Sequence, residues 1–236
     1  MVSMPVIDSF LLRDGRLINP RGHADRLRSS GAGADAILDA VVPDLPRSGL
    51  YFPKIVVARD GNWSLEPRPM SPASLEVNAQ LVVHTEPDRR VNPRVKGPDF
   101  PWQERVRSAA VSRGASDGVL VEPDNPEVVR EAAFGTLAAW VDGTLVTSST
   151  PCRLPSTTEG ALLGLAAEWD TPVVTHTLTL ANLRGADAVW LLSALHTIRT
   201  VTHLDGEPLR TAVDADAWRA ALWLRARPVT ELSEAS

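Results

Sequence analysis

The chain has 236 residues, a formal net charge of -5 and one cysteine, Cys152. This length is enough to bury a large core, in one domain or two. The basic residues are dispersed along an acidic chain, which excludes the concentrated positive charge typical of nucleic-acid or anionic-membrane binding. A single cysteine excludes an intrachain disulfide, and we find neither a signal-peptide pattern nor an apolar run of about 18 residues. We therefore predict a soluble, cytoplasmic protein.

The first 90 residues alternate strand-like and helical patterns. Asp14-Gly15 indicates a tight turn, because this dipeptide accepts the positive φ that hairpins need. His23, Arg26 and Leu27 fall three and four residues apart, so they share one face of a helix. Residues 1–90 are predicted to form a small α+β domain. Its predicted strands are at 6–12, 49–59, 63–67 and 77–85, and its predicted helices at 19–30 and 34–42.

A polar, proline-containing linker at 91–100 is predicted to join this domain to a larger α/β domain at 101–236. In the larger domain the hydroxyl of Thr157 or Thr158 is predicted to cap a helix. A C-terminal amphipathic helix is predicted to bury Trp218, Leu222 and Leu224. No glycine-rich phosphate loop of the dinucleotide or Walker type occurs. The predicted helices are at 101–113, 157–168 and 215–226, and the strands at 118–122, 129–134, 137–141, 144–147, 172–177, 188–192 and 200–204.

Lys96 is one of only two lysines in a chain that otherwise uses arginine for its positive charge. A nucleophilic amine cannot be an arginine, because guanidinium stays protonated, whereas burial or a neighbouring cation can lower the pKa of a lysine. Lys54 lies in an apolar, strand-like run, where its side chain is expected to point out of a sheet. Lys96 lies between Pro93 and Pro98, in an irregular segment from which a side chain can reach a cleft. We therefore predict imine chemistry at Lys96.

Four other polar features each have an ordinary structural interpretation. Arg26 could be a solvated charge on its helix, and Glu131 an outward-facing acid on a strand. Ser156-Thr157-Thr158 could serve only as a helix cap, and Ser193-Ala194-Leu195 only as a packed turn after a buried strand. Their order along the chain is what makes the set informative.

In that order the features resemble the class IV aminotransferases, the fold-type IV pyridoxal-phosphate enzymes that include branched-chain and D-amino-acid aminotransferases and aminodeoxychorismate lyase. The resemblance extends over nearly the whole chain. It rests on His23-Ala24-Asp25-Arg26-Leu27 for H-x-x-R-L, Lys96-Gly97 for the Schiff-base lysine, Glu131 with Thr136-Leu137 for E-x4-N-L, Leu154-Pro155-Ser156-Thr157-Thr158 for L-P-G-[IV]-T, and residues 193–199 for N-[AS]-L-x-G-I-R, followed by Asp205-Gly206.

The resemblance implies a two-domain, D-amino-acid aminotransferase-like fold with pyridoxal 5'-phosphate in the cleft between the domains, a homodimer, and no metal. Lys96 would hold the cofactor as a Schiff base and move protons at the substrate α-carbon. Glu131 would keep the pyridine nitrogen protonated, and Arg26 would clamp the phosphate. The further cofactor contacts that the resemblance implies are Thr136, Thr157, Thr158, Ser193 and Ala194.

Several residues depart from the family pattern. The tyrosine usually found shortly after the lysine is absent, and Phe100 and Trp102 occupy that region. Thr136 replaces a common asparagine, and Ser156 replaces the glycine of the L-P-G turn. Glu159 stands where the family generally has arginine. An acid there would repel a phosphate, so we expect it to point away or to weaken cofactor binding.

The predicted function is transfer of an amino group between an amino acid and a 2-oxo acid. Two alternatives stay open: a lyase of the aminodeoxychorismate type, which the Ser193-Ala194-Leu195 turn favours, and a non-catalytic homologue, which Glu159 and the missing tyrosine favour. The family's substrate contacts cannot be matched here residue by residue. A zinc site or a nucleophilic triad is not indicated, because the chain has five histidines, one cysteine and no H-E-x-x-H or G-x-S-x-G motif. The residues expected near the substrate are Arg13, Arg94, Trp102 and His196.

Overall fold

The computed structural model describes residues 5–29, 33–58 and 60–234. Seven α-helices lie within these ranges, and local caps explain where several of them begin. The hydroxyl of Ser156 accepts the Glu159 N–H at 3.2 Å and caps one helix, and Asp214 accepts the Asp216 N–H at 2.8 Å at the start of another. The helices are α1 (Pro20–Ser29), α2 (Ala34–Val41), α3 (Phe100–Ser112), α4 (Thr157–Glu168), α5 (Leu180–Gly185), α6 (Ala215–Leu224) and α7 (Glu231–Glu234), with short 3-10 helices at Val42–Asp44 and Pro72–Ser74.

Most strands form one large mixed sheet. Four pairings are central to its shape: β14 and β8 flank β7 in parallel, and β13 is antiparallel to both β10 and β14. The sheet order is β12-β11-β10-β13-β14-β7-β8-β9, with β15 beside β14. The strands are β7 (Asn78–Val83), β8 (Asp117–Val121), β9 (Val129–Ala132), β10 (Thr136–Val141), β11 (Thr144–Ser148), β12 (Val173–His176), β13 (Ala188–Ser193), β14 (Thr197–Leu204) and β15 (Glu207–Pro208).

The central strands are buried on both faces, which explains their nearly continuous apolar sequences. Leu137 and Ala139 of β10 pack into one core with α5, whereas Ala138 and Trp140 pack into the opposite core with α4 and α6. This division follows from the two-residue period of a strand. In the second core, the rings of Trp140 and Trp190 lie 5.1 Å apart, edge to face. Such aromatic pairs each contribute about 0.5–1.5 kcal/mol beyond their buried area.

Two small sheets and three helices make up the rest of the molecule. One sheet has the order β1-β5-β6 and the other β16-β3-β2-β4, and together with α1, α2 and α7 they enclose a separate apolar core. The strands are β1 (Val6–Ser9), β2 (Leu12–Arg13), β3 (Arg16–Leu17), β4 (Leu50–Tyr51), β5 (Lys54–Val57), β6 (Trp63–Glu66) and β16 (Arg227–Pro228).

The large sheet and the two small sheets draw on interleaved parts of the chain. Strand β7 belongs to the predicted first domain, yet it lies inside the large sheet between β14 and β8. In the other direction, β16 pairs with β3, and α7 packs against α1 and α2 near the N-terminus. The strand pairing therefore crosses the predicted domain boundaries at residues 90 and 100. The division into two domains remains a prediction.

Most predicted elements are confirmed within a residue or two. The Asp-Gly turns at 14–15, 142–143 and 205–206 have positive φ at both residues. Five predictions were wrong. The strand at 6–12 is interrupted at 10–11 and the strand at 49–59 at 52–53, β14 begins at Thr197 and not at 200, α4 is capped by Ser156 rather than by a threonine, and Leu224 is 83 % exposed. In addition, α5 was not predicted. The ends predicted at Ser30 and Arg59, and the last two residues, lie outside the described residues. None of the helices in the described ranges is long and apolar enough to cross a membrane.

Candidate active site

An open cavity lies between the linker before α3, the ends of β9, β10 and β13, and the start of α4, and it encloses about 610 Å³ when the solvent at its mouth is included. All eight residues predicted to contact the cofactor line it, although they come from distant parts of the chain. They are Arg26, Lys96, Glu131, Thr136, Thr157, Thr158, Ser193 and Ala194.

Lys96 reaches this cavity because its backbone is fixed against β1. The Ile7 N–H donates to the Lys96 carbonyl at 2.8 Å. The next residue, Gly97, has a φ of 123°, and a Cβ there would lie 2.4 Å from the Pro5 carbonyl oxygen, so only glycine fits. The Lys96 side chain is 15 % exposed, with its Nζ 3.6 Å from Asp8 Oδ1. Burial, and after it the charge of Arg26, lowers the pKa of Lys96 to about 8.

Arg26 and His23 project from the buried face of α1 towards the same carboxylate. Asp8 is completely buried, its Oδ2 lies 2.8 Å from His23 Nδ1, and its Oδ1 accepts a hydrogen bond from the Arg26 guanidinium. Although burial opposes it, the charge of Arg26, with the hydrogen bond from His23 and the charge of Lys96, holds the pKa of Asp8 well below its usual range. Burial lowers the pKa of His23, which favours a neutral ring. We refer to Asp8, His23, Arg26 and Lys96 as the Asp8 cluster.

A second buried cluster lies at the Glu131 end of the cavity. Glu131 Oε1 accepts hydrogen bonds from the Arg90 guanidinium at 2.5 Å and from the Leu154 N–H at 3.0 Å. Arg90 also donates to both oxygens of Asp88, which Arg130 contacts at 2.9 Å. Burial raises the pKa of Glu131 to about 7, against the opposing charge of Arg90. Within the described residues no hydrogen bond reaches Glu131 Oε2. We refer to Glu131, Arg90, Asp88 and Arg130 as the Glu131 cluster.

The start of α4 and the turn after β13 present backbone donors to the cavity. The N–H groups of Thr157, Thr158 and Ala194 have no hydrogen-bond partner in the part of the chain that the structure describes. The first N–H groups of a helix lack partners within the helix, and the helix dipole favours an anion beside them. This side of the cavity is therefore suited to a phosphate or a carboxylate, with Arg26 on the same wall.

Glu159 does not oppose that anion site. Its carboxylate turns away from the cavity and pairs with the Arg153 guanidinium at 2.6 Å. Arg153 is held in turn by the Ser148 carbonyl oxygen at 3.0 Å. The acid that replaces the family's arginine is thus neutralised by an arginine six residues earlier.

The four residues expected near the substrate do not line the cavity. Arg94 is exposed and donates to the Pro151 carbonyl oxygen at 3.2 Å, and the Trp102 ring packs edge-on to His84. Arg13 and His196 lie in a separate depression, where the Arg13 guanidinium stacks 4.4 Å from the Trp223 ring centre. Their assignment as substrate contacts gains no support from this placement.

Two phenylalanines form one wall of the cavity. Phe100 begins α3 and Phe134 follows β9, and their rings meet edge to face with centres 5.5 Å apart. Beside them the Gln103 side-chain amide donates to the Ala133 carbonyl oxygen at 2.6 Å, and its own oxygen accepts no hydrogen bond from any described residue. This wall is mostly apolar.

The family model described as amino-transferase class IV matches residues 5–204. The chain belongs to the class IV aminotransferase family. It is therefore a pyridoxal-phosphate-dependent enzyme, and the cofactor prediction is confirmed at that level.

Solved structures confirm the fold-type IV architecture. A fold IV transaminase from Curtobacterium pusillum superposes with a TM-score of 0.79 and 21 % identity, over 95 % of this chain and 88 % of that one. A branched-chain aminotransferase from Thermoproteus uzoniensis superposes with a TM-score of 0.80 and 15 % identity, over 96 % of this chain and 90 % of that one. A putative 4-amino-4-deoxychorismate lyase from Legionella pneumophila superposes with a TM-score of 0.76 and 17 % identity, over 94 % of this chain and 90 % of that one. No curated protein matches the sequence.

The residues of this class IV chain fit pyridoxal phosphate. The group needs donors for a phosphate, an amine for its aldehyde carbon and a carboxylate for its ring nitrogen. Three unpartnered N–H groups with Arg26, the Lys96 amine and Glu131 Oε2 provide these on the walls of one cavity.

Several residues of the site were not found from the sequence, and Asp8 and Arg90 are the most important of them. Asp8 lies in the predicted strand 6–12, and Arg90 lies in the charged stretch just before the predicted linker. A charged residue inside the run Val6-Ile7-Asp8 was an available signal, because a buried acid requires a partner. Arg90 offered no such signal, since its run of charged residues is typical of a solvated loop.

Proposed function

We propose that this enzyme transfers an amino group between an amino acid and a 2-oxo acid, with Lys96 as the residue that bonds to the cofactor. The observation that carries this proposal is the convergence of Lys96, Arg26 and Glu131 on one cavity. When bound there, pyridoxal phosphate supplies the electron-withdrawing ring that stabilises negative charge at the substrate α-carbon.

Lys96 acts as the proton carrier at the substrate α-carbon. With a pKa of about 8, roughly a tenth of the Lys96 side chains carry a neutral amine at pH 7. That fraction is far larger than an ordinary lysine offers, so Lys96 can attack a carbonyl carbon and later accept and return a proton.

Glu131 and Arg26 would hold the two ends of the cofactor. Arg90 and the Leu154 N–H occupy Glu131 Oε1, so Oε2 would accept a hydrogen bond from the ring nitrogen. A carboxylate beside that nitrogen favours its protonated form. Arg26, with the N–H groups of Thr157 and Thr158, would bind the phosphate.

Lyase chemistry of the aminodeoxychorismate type uses the same groups, and the Ser193-Ala194-Leu195 turn is the feature that favours it. A transamination assay separates the two: donor-dependent conversion of a 2-oxo acid to an amino acid supports the aminotransferase, and elimination without an amino acceptor supports the lyase.

We also infer a homodimer in the cytoplasm, with two α/β domains in each subunit. The family resemblance supports the dimer, and the single free cysteine supports a reducing compartment. Light scattering of the purified protein tests the dimer directly.

The first test adds pyridoxal phosphate to the protein, records the visible absorbance, reduces with borohydride and maps the adduct by mass spectrometry. We expect a visible band that reduction removes, with the adduct on Lys96. Lys96→Ala should lose the band, whereas Lys54→Ala, the matched control, should keep it. An adduct on Lys54, or a band that survives in Lys96→Ala, contradicts the proposed role.

A further inference from the structure

Asp8 is a buried acid that the proposed mechanism has not used. It is fully enclosed, and each of its oxygens is engaged: Oδ2 by His23 at 2.8 Å, and Oδ1 by Arg26 and by the Ser9 N–H at 2.8 Å. Lys96 Nζ lies 3.6 Å from the same Oδ1. These contacts fix the position of the Asp8 carboxylate independently of its pair with Lys96.

The backbone holds Asp8 and Lys96 close to each other. The N–H of Ile7, the residue before Asp8, donates to the Lys96 carbonyl. The side chains of Asp8 and Lys96 therefore extend from neighbouring positions on two hydrogen-bonded segments. Gly97 allows the close passage of the two chains, because a side chain there would collide with the Pro5 carbonyl.

Three charged groups act on the Lys96 amine. Asp8 on β1 attracts the ammonium form, whereas Arg26 on α1 and Arg68, which follows β6, repel it. Among the described residues, the pair with Asp8 is the one ion pair that Lys96 makes. Without Asp8, two cations and burial would all act against the ammonium.

We propose that Asp8 is a positioning residue for Lys96, holding its ammonium at the base of the cavity whenever the amine is not bonded to the cofactor. This inference rests on the proposed role of Lys96. In the proton transfer, the neutral Lys96 amine would take up the proton that the substrate α-carbon gives up, and would later release it. Asp8 remains ionised throughout, because Arg26 and His23 hold its negative charge.

A purely structural alternative is that Asp8 orients Arg26 and His23 and has no effect on Lys96. The two possibilities differ in one readout, the titration of the Lys96 amine in the cofactor-free protein. With only two lysines, protein labelled with lysine carrying ¹³C at Cε gives two signals by NMR, and Lys54 is the internal control.

We expect the Lys96 signal of the unsubstituted protein to titrate well below that of Lys54. In Asp8→Asn the Lys96 midpoint should fall by roughly one to two pH units, as expected for the loss of an opposite charge at this distance. In Asp8→Glu, which keeps the charge, it should move by less than about half a unit. Lys54 should be unchanged in both.

A Lys96 midpoint that is the same in Asp8→Asn and the unsubstituted protein overturns the proposal. If Asp8→Asn does not fold, the alternative measurement is an NMR titration of the aspartate ¹³Cγ signals in the unsubstituted protein. One carboxylate signal should then shift at the Lys96 midpoint and lose that inflection in Lys96→Met, and its absence overturns the proposal equally.

This test needs no cofactor, so its failure is distinguishable from failure of the proposed function. A coupled titration without a borohydride adduct would retain the Asp8–Lys96 pair and remove the imine role. An adduct on Lys96 without coupled titration would retain the imine role and remove the Asp8–Lys96 pair.

Discussion

The two ends of the cavity each hold a buried carboxylate, and the pKa values of the two are shifted in opposite directions. Asp8 faces Arg26, His23 and Lys96, and its pKa is held well below the usual range. Glu131 faces Arg90, whose charge is shared with Asp88, and its pKa is raised to about 7. Both carboxylates are almost completely buried, so the balance of positive charge around each one causes the difference.

This difference suits the two carboxylates to different tasks. A carboxylate that stays ionised at all working pH values can hold cations in place, as Asp8 does for Arg26. A carboxylate with a pKa near neutrality can share a proton with a partner of similar basicity, such as a ring nitrogen. Each of the following substitutions changes the charge at one end of the cavity.

Arg90→Met should have the largest effect, because it leaves Asp88 and Glu131 buried with less compensating charge. We expect a loss of about 3–5 kcal/mol in the free energy of unfolding, measured by urea denaturation of the cofactor-free protein at pH 7. Arg89→Met is the matched control, since its side chain is 65 % exposed and pairs with Glu86 at the surface. It should change stability by less than about 0.5 kcal/mol. Equal losses in the two variants would show that the Glu131 cluster is not coupled by Arg90.

Glu131→Gln should affect catalysis most. Glutamine keeps an acceptor for the Leu154 N–H but carries no negative charge for the ring nitrogen. We expect kcat/KM to fall by about 100-fold or more, with cofactor still bound through the phosphate site. Glu159→Gln, an acid outside the cavity wall, should lower kcat/KM by less than about threefold once the protein is folded. Similar losses in both variants would contradict a special role for Glu131.

Lys96→Met should have the smallest effect on stability, and that effect is a gain. The folded-state pKa of Lys96 is about 8, below the 10.5 of a free lysine, so folding disfavours the ammonium. The cost is present in full below pH 8 and disappears as the pH rises through 10.5, where both states are neutral. Methionine should therefore stabilise the cofactor-free protein by about 1–3 kcal/mol at pH 7 and by almost nothing above pH 10.5. Denaturation at both pH values measures this, and a gain that persists at the higher pH would point to packing instead of charge.

Local sequence patterns were sufficient for most of the fold. Asp-Gly turns, alternating strands and the shared face of His23 and Arg26 depend on neighbours within about five residues, and these predictions are confirmed. Leu224 shows the limit of that approach. It lies two positions after Leu222, about 200° around the helix, so the turn geometry places it opposite the buried face.

The rest could not be predicted because it depends on distant partners. Nothing near Asp8 indicates that Lys96, 88 residues later, will lie beside it. The placement of β7 between β14 and β8 is likewise invisible, because parallel partners are not adjacent in sequence. For the cavity, the family resemblance indicated which residues meet, and the structure adds the two charge clusters that surround them.

The pairing of β16 with β3 has a consequence for how the protein is made. The Arg16 guanidinium contacts the Ala226 carbonyl oxygen across a separation of 210 residues, and the Val229 N–H donates to Gly15. Domains usually fold from the N-terminus as the ribosome delivers them. Here β3 gains β16 as its partner only once residues 227–228 have been made. The apolar core that contains Leu17 and Val229 is therefore completed only when a segment about 210 residues further along the chain becomes available.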